Sequence, residues 1–558
     1  MPYCRLFLIL LLSLLPLHQL RGEQPTAMVA AANPLAVEAG IGMLRAGGSA
    51  LDAAIAAQLV LGLVEPQSSG IGGGAFLLHY SAEEGRLQAF DGRETAPQAT
   101  DSELFLDGKG EAMGFWDAVV GGRSVGTPGL FRMLELAHEQ HGELAWPQLF
   151  MPAISLAEEG FEISPRLAGL IAADSFLDRY QEARSYFLMP DGTPKQEGTL
   201  LRNPAYAETL RQVAEGGAKV FYEGPIAADI VTAVQGVEDN PGLLSLEDMA
   251  AYEAKEREVL CGSYRNHQVC GMPPPTSGGV ALLQILGILE NFDLPSLEPG
   301  SAEAIHLLAE ASRLAFADRG AYLADSDFVE VPLARLTDPT YLRQRAALIR
   351  EDRTMTEVAP GELPQRGGLA PEVDTPSTSH LVVVDAAGNA VSMTTSVESV
   401  FGSRLMVRGF LLNNQLTDFA FVPEVEGLPV ANRVEPGKRP RSSMSPTLVF
   451  DSEGHFEIAV GSPGGARIIG YTLNALLAML DWEFDPEAAV RLPHAANLGG
   501  PTLLEENTRL AELRPALQAL GHEVEVREMT SGLHAIRMGP QGLQGGADPR
   551  REGTVGTP

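Results

Sequence analysis

"DTPSTSHLVVVDAAGNAVSMTTSVE", Asp374 to Glu398, crowds Thr375, Ser377, Thr378 and Ser379 against the start of a strand-like apolar run. Ser and Thr favour such places because their side chains bond nearby backbone groups. A second reading is chemical: a Thr freed at a chain terminus carries both a nucleophilic hydroxyl and an amine able to take its proton. The flanking runs "HLVVVD" and "NAVSMTTS" are rich in β-branched residues and enclose a turn-like "AAGN" at Ala386 to Asn389, which predicts a hairpin. A hairpin centred on Ala387 places Thr378 opposite Ser396, so the candidate nucleophile gains a candidate hydroxyl partner.

Working outward, the residues before this stretch, Pro360 to Ser377, contain four prolines and three glycines in 18 residues, a composition unable to hold a helix or an inner strand. This predicts an exposed, mobile connector, either a linker between two domains or a segment that ends in a chain break. Beyond it lie strand candidates "HLVVV", "AVSMTTS", "GFLLNN", "TLVF" and "FEIAV", then a helix from about Ala466. Before it, Asn33-Pro34 reads as a capped helix start running to Gly47-Gly48. A second helix begins at Ser49, with Asp52 three residues on as in a capping box. Residues from about 130 to 350 are mostly helical in pattern. Sheet and helix layers therefore draw on both sides of the connector.

The chain of 558 residues is 45% hydrophobic, ample for a buried core. Met1 to Gly22 have the form of a secretory signal: Arg5, then "LFLILLLSLLPL", then polar "HQLRG". Cys4 precedes the apolar run, so export without a lipid anchor and a secreted or periplasmic location are expected. A formal net charge of −32 disfavours nucleic acid and anionic membranes as partners. Cys261 and Cys270, in "VLCGSYRNHQVCGM", sit in a strand-turn-strand pattern, open to a disulfide in an oxidising compartment or to two buried thiols. No metal site is expected, since "HEQH" at His138 to His141 lacks the spacing of H-E-x-x-H and reads as a solvated helix face. "GIGGGA" at Gly70 to Ala75 follows a helix and precedes a strand, the reverse of the order that aims helix N–H groups at a pyrophosphate.

Taken together, eight segments in order resemble the γ-glutamyltransferase family of N-terminal-nucleophile hydrolases. They are "MVAAANPLAVEAGIGMLRAGGSALDAAIAAQLVLGLVEPQSSGIGGGAFLL", "DGRETAP", "PPPTSGGVALLQILGILE", "TSHLVVVDAAGNAVSMTTS", "GFLLNNQLTDF", "GKRPRSSMSPT", "GSPGGARII" and "GGADPRREG". The resemblance implies an α+β fold, a four-layer αββα sandwich, made as a precursor that cuts itself between Ser377 and Thr378. It implies a large subunit, 23–377, and a small catalytic subunit, 378–558, after loss of the signal segment 1–22. Thr378 falls on the family's nucleophile, Ser396 on the hydroxyl that orients it, and Gly464 and Gly465 in "SPGG" on the oxyanion site. Arg93, Ser442 and Ser443 fall around the donor's α-carboxylate and Asp418 on its α-ammonium. The implied partners are a γ-glutamyl donor such as glutathione and either water or an amino-acid or peptide amine as acceptor. No cofactor is implied.

Two departures stand out. Glu398 lies where many members have Asn, and Gln415 where members differ between Gln and Glu, which gives two carboxylates, Glu398 and Asp418, near the expected ammonium. The stretch Phe419 to Lys438 contains no Tyr or Trp and is short for a covering lid, so an open site is expected. The rival reading within the superfamily is an acylase acting on glutaryl- or cephalosporin-type amides, and unpaired buried carboxylates argue against it. A non-catalytic periplasmic binding protein is the rival of another class, and an intact Thr378 with "SPGG" argues against that.

Overall fold

The computed structural model describes residues 26–364, 366–370 and 377–558. The signal-like segment and the last part of the connector lie outside the described residues.

Two antiparallel sheets face one another. The first has seven strands in the order Thr554–Gly556, Met28–Ala31, Ser379–Val384, Ala390–Ser396, Gly74–Ser81, Arg86–Gly92 and Lys255–Arg257. The second has six: Gly542–Ala547, His534–Gly539, Phe456–Gly461, Thr447–Phe450, His267–Gly271 and Leu260–Tyr264. Both sheets take strands from before and after the connector, interleaved in the first and side by side in the second, so neither half of the chain owns a layer.

The period of two along each strand creates the layers. Leu381 and Val383 point to a core shared with helices. Val382 and Val384 point the other way, into a core between the sheets that also holds Phe76, Leu78, Leu448 and Ile536. On the second sheet, Val449, Ile458 and Val460 turn outward to another helical core. Both faces of each sheet are thus apolar, which explains why these strands read as continuous runs of β-branched residues. The result is helices, sheet, sheet, helices.

The first helical layer begins as the caps predict. Asn33 Oδ1 accepts from the Leu35 N–H at the start of Pro34–Arg45 (3.0 Å), and Ser49 and Asp52 cap Ala50–Val64 reciprocally. Every residue of Ala50–Val64 is buried, consistent with a sequence apolar at all positions but the capping Asp52 and Gln58. Gly278–Leu289, Ala302–Tyr322 and Ile468–Leu480 form the layer over the second sheet. Cys261 and Cys270 face each other across the edge hairpin and are joined by a disulfide.

The structure corrects three readings. "GFLLNN" supplies only the two-residue strand Phe410–Leu411 before the chain turns into a 3₁₀ helix, Gln415–Asp418, because Asn413 and Asn414 spend their side chains on neighbouring segments. The connector is not wholly exposed: Gly367 and Gly368 are buried, donating to the Ala321 and Pro429 carbonyls (2.9 and 3.0 Å). The "HEQH" face is not simply solvated, since the His141 ring stacks on His79 at 3.9 Å.

Candidate active site

The hairpin register runs from Ala390 opposite Val384 to Thr395 opposite Ser379. Extended by one residue, it brings Thr378 to Ser396, whose hydroxyl oxygens are 3.0 Å apart. Ser396 Oγ also accepts from the Glu398 N–H at 2.9 Å, which fixes the hydroxyl from its far side. On the neighbouring strand Gly74 lies opposite Ser396, and the preceding glycine shows what the "GIGGGA" run is for. A Cβ on Gly73 would lie 2.1 Å from the Ser396 carbonyl oxygen, so glycine lets the two strands close at this point.

Thr378 is held in a conformation that L-residues seldom adopt, φ = 85°, and a β-branched residue there carries strain of about 1–3 kcal/mol. Both flanking carbonyls are clamped. That of Ser377 accepts from the Gly464 N–H (3.1 Å), and that of Thr378 accepts from Arg551 Nη1 (2.7 Å). The Ser377 hydroxyl donates to the Gln67 carbonyl at 2.9 Å. Gly464 (φ = 135°) and Gly465 (φ = 62°) form the turn between the strand Phe456–Gly461 and the helix Ile468–Leu480. A Cβ on Gly464 would meet the Tyr471 ring at 2.6 Å.

A second cluster lines the same cavity. Arg93, fully buried at the end of the strand Arg86–Gly92, donates from Nε to the Pro440 carbonyl (3.1 Å) and from Nη2 to Asp418. Asp418 also accepts from Gln415 Nε2 (2.9 Å). Behind Arg93 lies Glu94, fully buried; loss of hydration pushes its carboxyl up to about 8 despite Arg93 at 3.8 Å. The Ser442 hydroxyl accepts from the Met444 N–H (3.0 Å), and Ser443 Oγ accepts from Arg319 Nη2 (2.8 Å). Burial lowers the Arg319 guanidinium to about 10, with Asp418 pulling it back up.

The predicted residues converge. Thr378, Ser396, Arg93, Glu398, Gln415, Asp418, Ser442, Ser443 and Gly465 line one cavity of about 270 Å³, and Gly464 is hydrogen-bonded to the carbonyl preceding Thr378. Two expectations change. Neither carboxylate is unpaired, because Asp418 has Arg93 and Gln415, and Glu398 accepts from Asn414 Nδ2. Paired in this way, and with Asp418 only half-buried, they carry no argument against an acylase. The stretch after Asp418, though short, walls the cavity with Phe419, Ala420, Phe421, Val422, Val430 and Asn432. Sequence reasoning missed Arg319 and Arg551. Arg551 lay within the quoted "GGADPRREG" without a role, and nothing in the sequence marks Arg319, whose contacts come from remote segments. Among the described residues no group of three His, Cys, Asp or Glu side chains could hold a metal, and no helix is long and apolar enough to cross a membrane.

Comparison with known proteins places this geometry. The glutathione hydrolase proenzyme of Escherichia coli (strain K12) is 37% identical over 546 residues, covering 96% of this chain and 91% of that protein. The acylase ACY 1 proenzyme of Pseudomonas sp. (strain SE83) is 36% identical over 537 residues, covering 94% and 92%. Among solved structures, cephalosporin acylase from Bacillus halodurans superposes with a TM-score of 0.83 at 27% identity, over 96% of both chains. Helicobacter pylori gamma-glutamyltranspeptidase gives 0.57 at 37% identity, over 59% of this chain and 94% of that one. The gamma-glutamyltranspeptidase family model matches residues 36–557, and this chain belongs to that family.

Proposed function

We propose that the protein is a self-cleaving γ-glutamyl hydrolase and transferase with Thr378 as its nucleophile. The observation that carries this reading is the Arg93–Asp418 pair facing the same cavity as the Thr378–Ser396 pair. A cation and an anion side by side match the zwitterionic head of a γ-glutamyl group: Arg93 takes the α-carboxylate and Asp418 the α-ammonium, so each exchanges one opposite charge for another. Ser442, Ser443, Gln415 and Glu398 complete the head-group site.

Maturation begins with Thr378 Oγ1 attacking the Ser377 carbonyl carbon, whose oxygen already accepts from the Gly464 N–H. The acyl group shifts from nitrogen to oxygen, water hydrolyses the ester, and the chains 23–377 and 378–558 result, the former after export has removed 1–22. The freed α-amine then takes the proton from Oγ1 as it attacks the donor's γ-carbonyl. Gly464 and Gly465 stabilise the oxyanion, a contribution of about 3–4 kcal/mol per donor. The C–N bond breaks, the amine leaves with a proton, and water or an incoming amine takes the γ-glutamyl group from Thr378. Glutathione fits as a donor, and a periplasmic or secreted location follows from the signal-like segment.

The acylase reading has its own support in the Bacillus halodurans likeness and in the ACY 1 relatives. Assaying γ-glutamyl, glutaryl and cephalosporin amides side by side separates the two. The proposal requires γ-glutamyl turnover to lead by at least about tenfold, and a lead by glutaryl or cephalosporin amides transfers the assignment to the acylases.

A further inference from the structure

One side of the cavity is not accounted for by the head group. Phe115, Met113, Phe421 and Val422 line it and are only half-buried, whereas the aromatic and aliphatic groups beneath them, Phe105, Leu104 and Phe419, are buried in a small core of their own. The Phe421 ring stacks on Phe105 (4.6 Å between centroids, planes at 18°) and lies nearly parallel to Phe115 (6.4 Å, 16°). The Phe421 ring is thus braced from behind by Phe105, and both rings line the cavity. Two segments remote in sequence build this shelf, the helix Phe115–Val119 with the residues before it and the stretch after Asp418.

Bare apolar surface beside a nucleophile carries a hydration cost that only a bound group removes. Arg93, Asp418, Gln415 and the Ser442–Ser443 pair supply the polar and charged lining, so the acyl half of a donor belongs with them. We infer that the shelf receives the amine half: the group leaving on the amide nitrogen and, since transfer reverses that step, the incoming acceptor. The class of amine it selects is one with an aromatic or bulky apolar side chain. This rests on the γ-glutamyl reading above and adds the identity of the second half of the substrate.

The test compares γ-glutamylphenylalanine with γ-glutamylalanine, which share the acyl group and carboxylate and differ by one phenyl ring. Wild-type kcat/KM is expected to favour the phenylalanine amide by about tenfold or more, a ring's burial being ample for that. Phe115→Ala and Phe421→Ala should each cut the preference at least threefold, mostly through KM. Phe115→Leu and Phe421→Leu keep a bulky apolar side chain at each position and should retain an intermediate preference, which decides the matter should the alanine variants fail to fold. A wild-type ratio near one, or a ratio that survives in both pairs of variants, overturns the shelf while leaving γ-glutamyl turnover intact. Absence of turnover of both amides overturns the γ-glutamyl reading itself and the shelf with it.

Discussion

The two ends of the cavity are built in different ways. At the end holding Thr378, that residue and Ser396 are 18 residues apart on one hairpin, and their 3.0 Å contact continues the strand register. At the head-group end, Arg93 and Asp418 are 325 residues apart, and Arg319 reaches Ser443 across 124 residues. Local pairing positions the Thr378 hydroxyl; packing of remote segments positions the Arg93–Asp418 cluster. Chemistry built on a register is difficult to displace, because a one-residue slip would turn every side chain of the strand to the wrong core. Recognition built on loops can change without disturbing it, which suits a family that holds both glutathione hydrolases and acylases.

The comparison breaks most completely at Thr378. Thr378→Ala should fold but remain a single chain on a denaturing gel, with turnover lower by at least about a thousandfold, because the proposed nucleophile and base disappear together. Cleavage of that variant at the same bond would falsify the maturation mechanism.

The next largest effect belongs to the other end. Asp418→Ala removes the partner of Arg93 and, in the proposed function, of the donor's ammonium, a loss of about 2–5 kcal/mol, so kcat/KM for a γ-glutamyl amide should fall by roughly thirtyfold or more. Self-cleavage should proceed normally, which distinguishes the two ends in a single preparation. Equal damage to cleavage and turnover would show that they are not independent.

A third test concerns the layer beneath the hairpin. His380 and His534 lie buried between the sheets with rings 6.4 Å apart, and burial lowers both, His534 to about 4. Unfolded histidine titrates near ~6.5, so the unfolded chain binds more protons than the folded one between those values. Stability is therefore full above about pH 6.5 and is lost as pH falls toward about 4. Thermal unfolding of His534→Gln followed from pH 7 to 4 should show a shallower acid decline than wild type, and parallel declines would remove His534 as the cause.

The smallest expected effect sharpens the point about hairpins. The hairpin Leu260–Tyr264 with His267–Gly271 lies at a sheet edge, without the neighbours on both sides that hold the Thr378 hairpin, and has a disulfide in their place. Cys261→Ser with Cys270→Ser should cost about 2–3 kcal/mol in urea unfolding, the entropy of one short loop, and leave kcat/KM unchanged.

The amino-acid sequence by itself determined a good deal here: the capped helices from Asn33 and Ser49, the hairpin centred on Ala387, the pairing of Thr378 with Ser396, and the facing of Cys261 with Cys270. These depend on caps, turns and the period of two, all properties of neighbours along the chain. The family motifs also named Arg93, Asp418, Ser442 and Ser443, but not how they meet. Only the tertiary structure decided that Asp418 pairs with Arg93, that Gly464 reaches the Ser377 carbonyl, that Arg551 holds the Thr378 carbonyl, and that Phe115 and Phe421 share a wall. The reason is physical: a buried charge or carbonyl must find a partner wherever the packed layers bring one, and which segments those are is set by how two whole sheets stack rather than by any local run of residues.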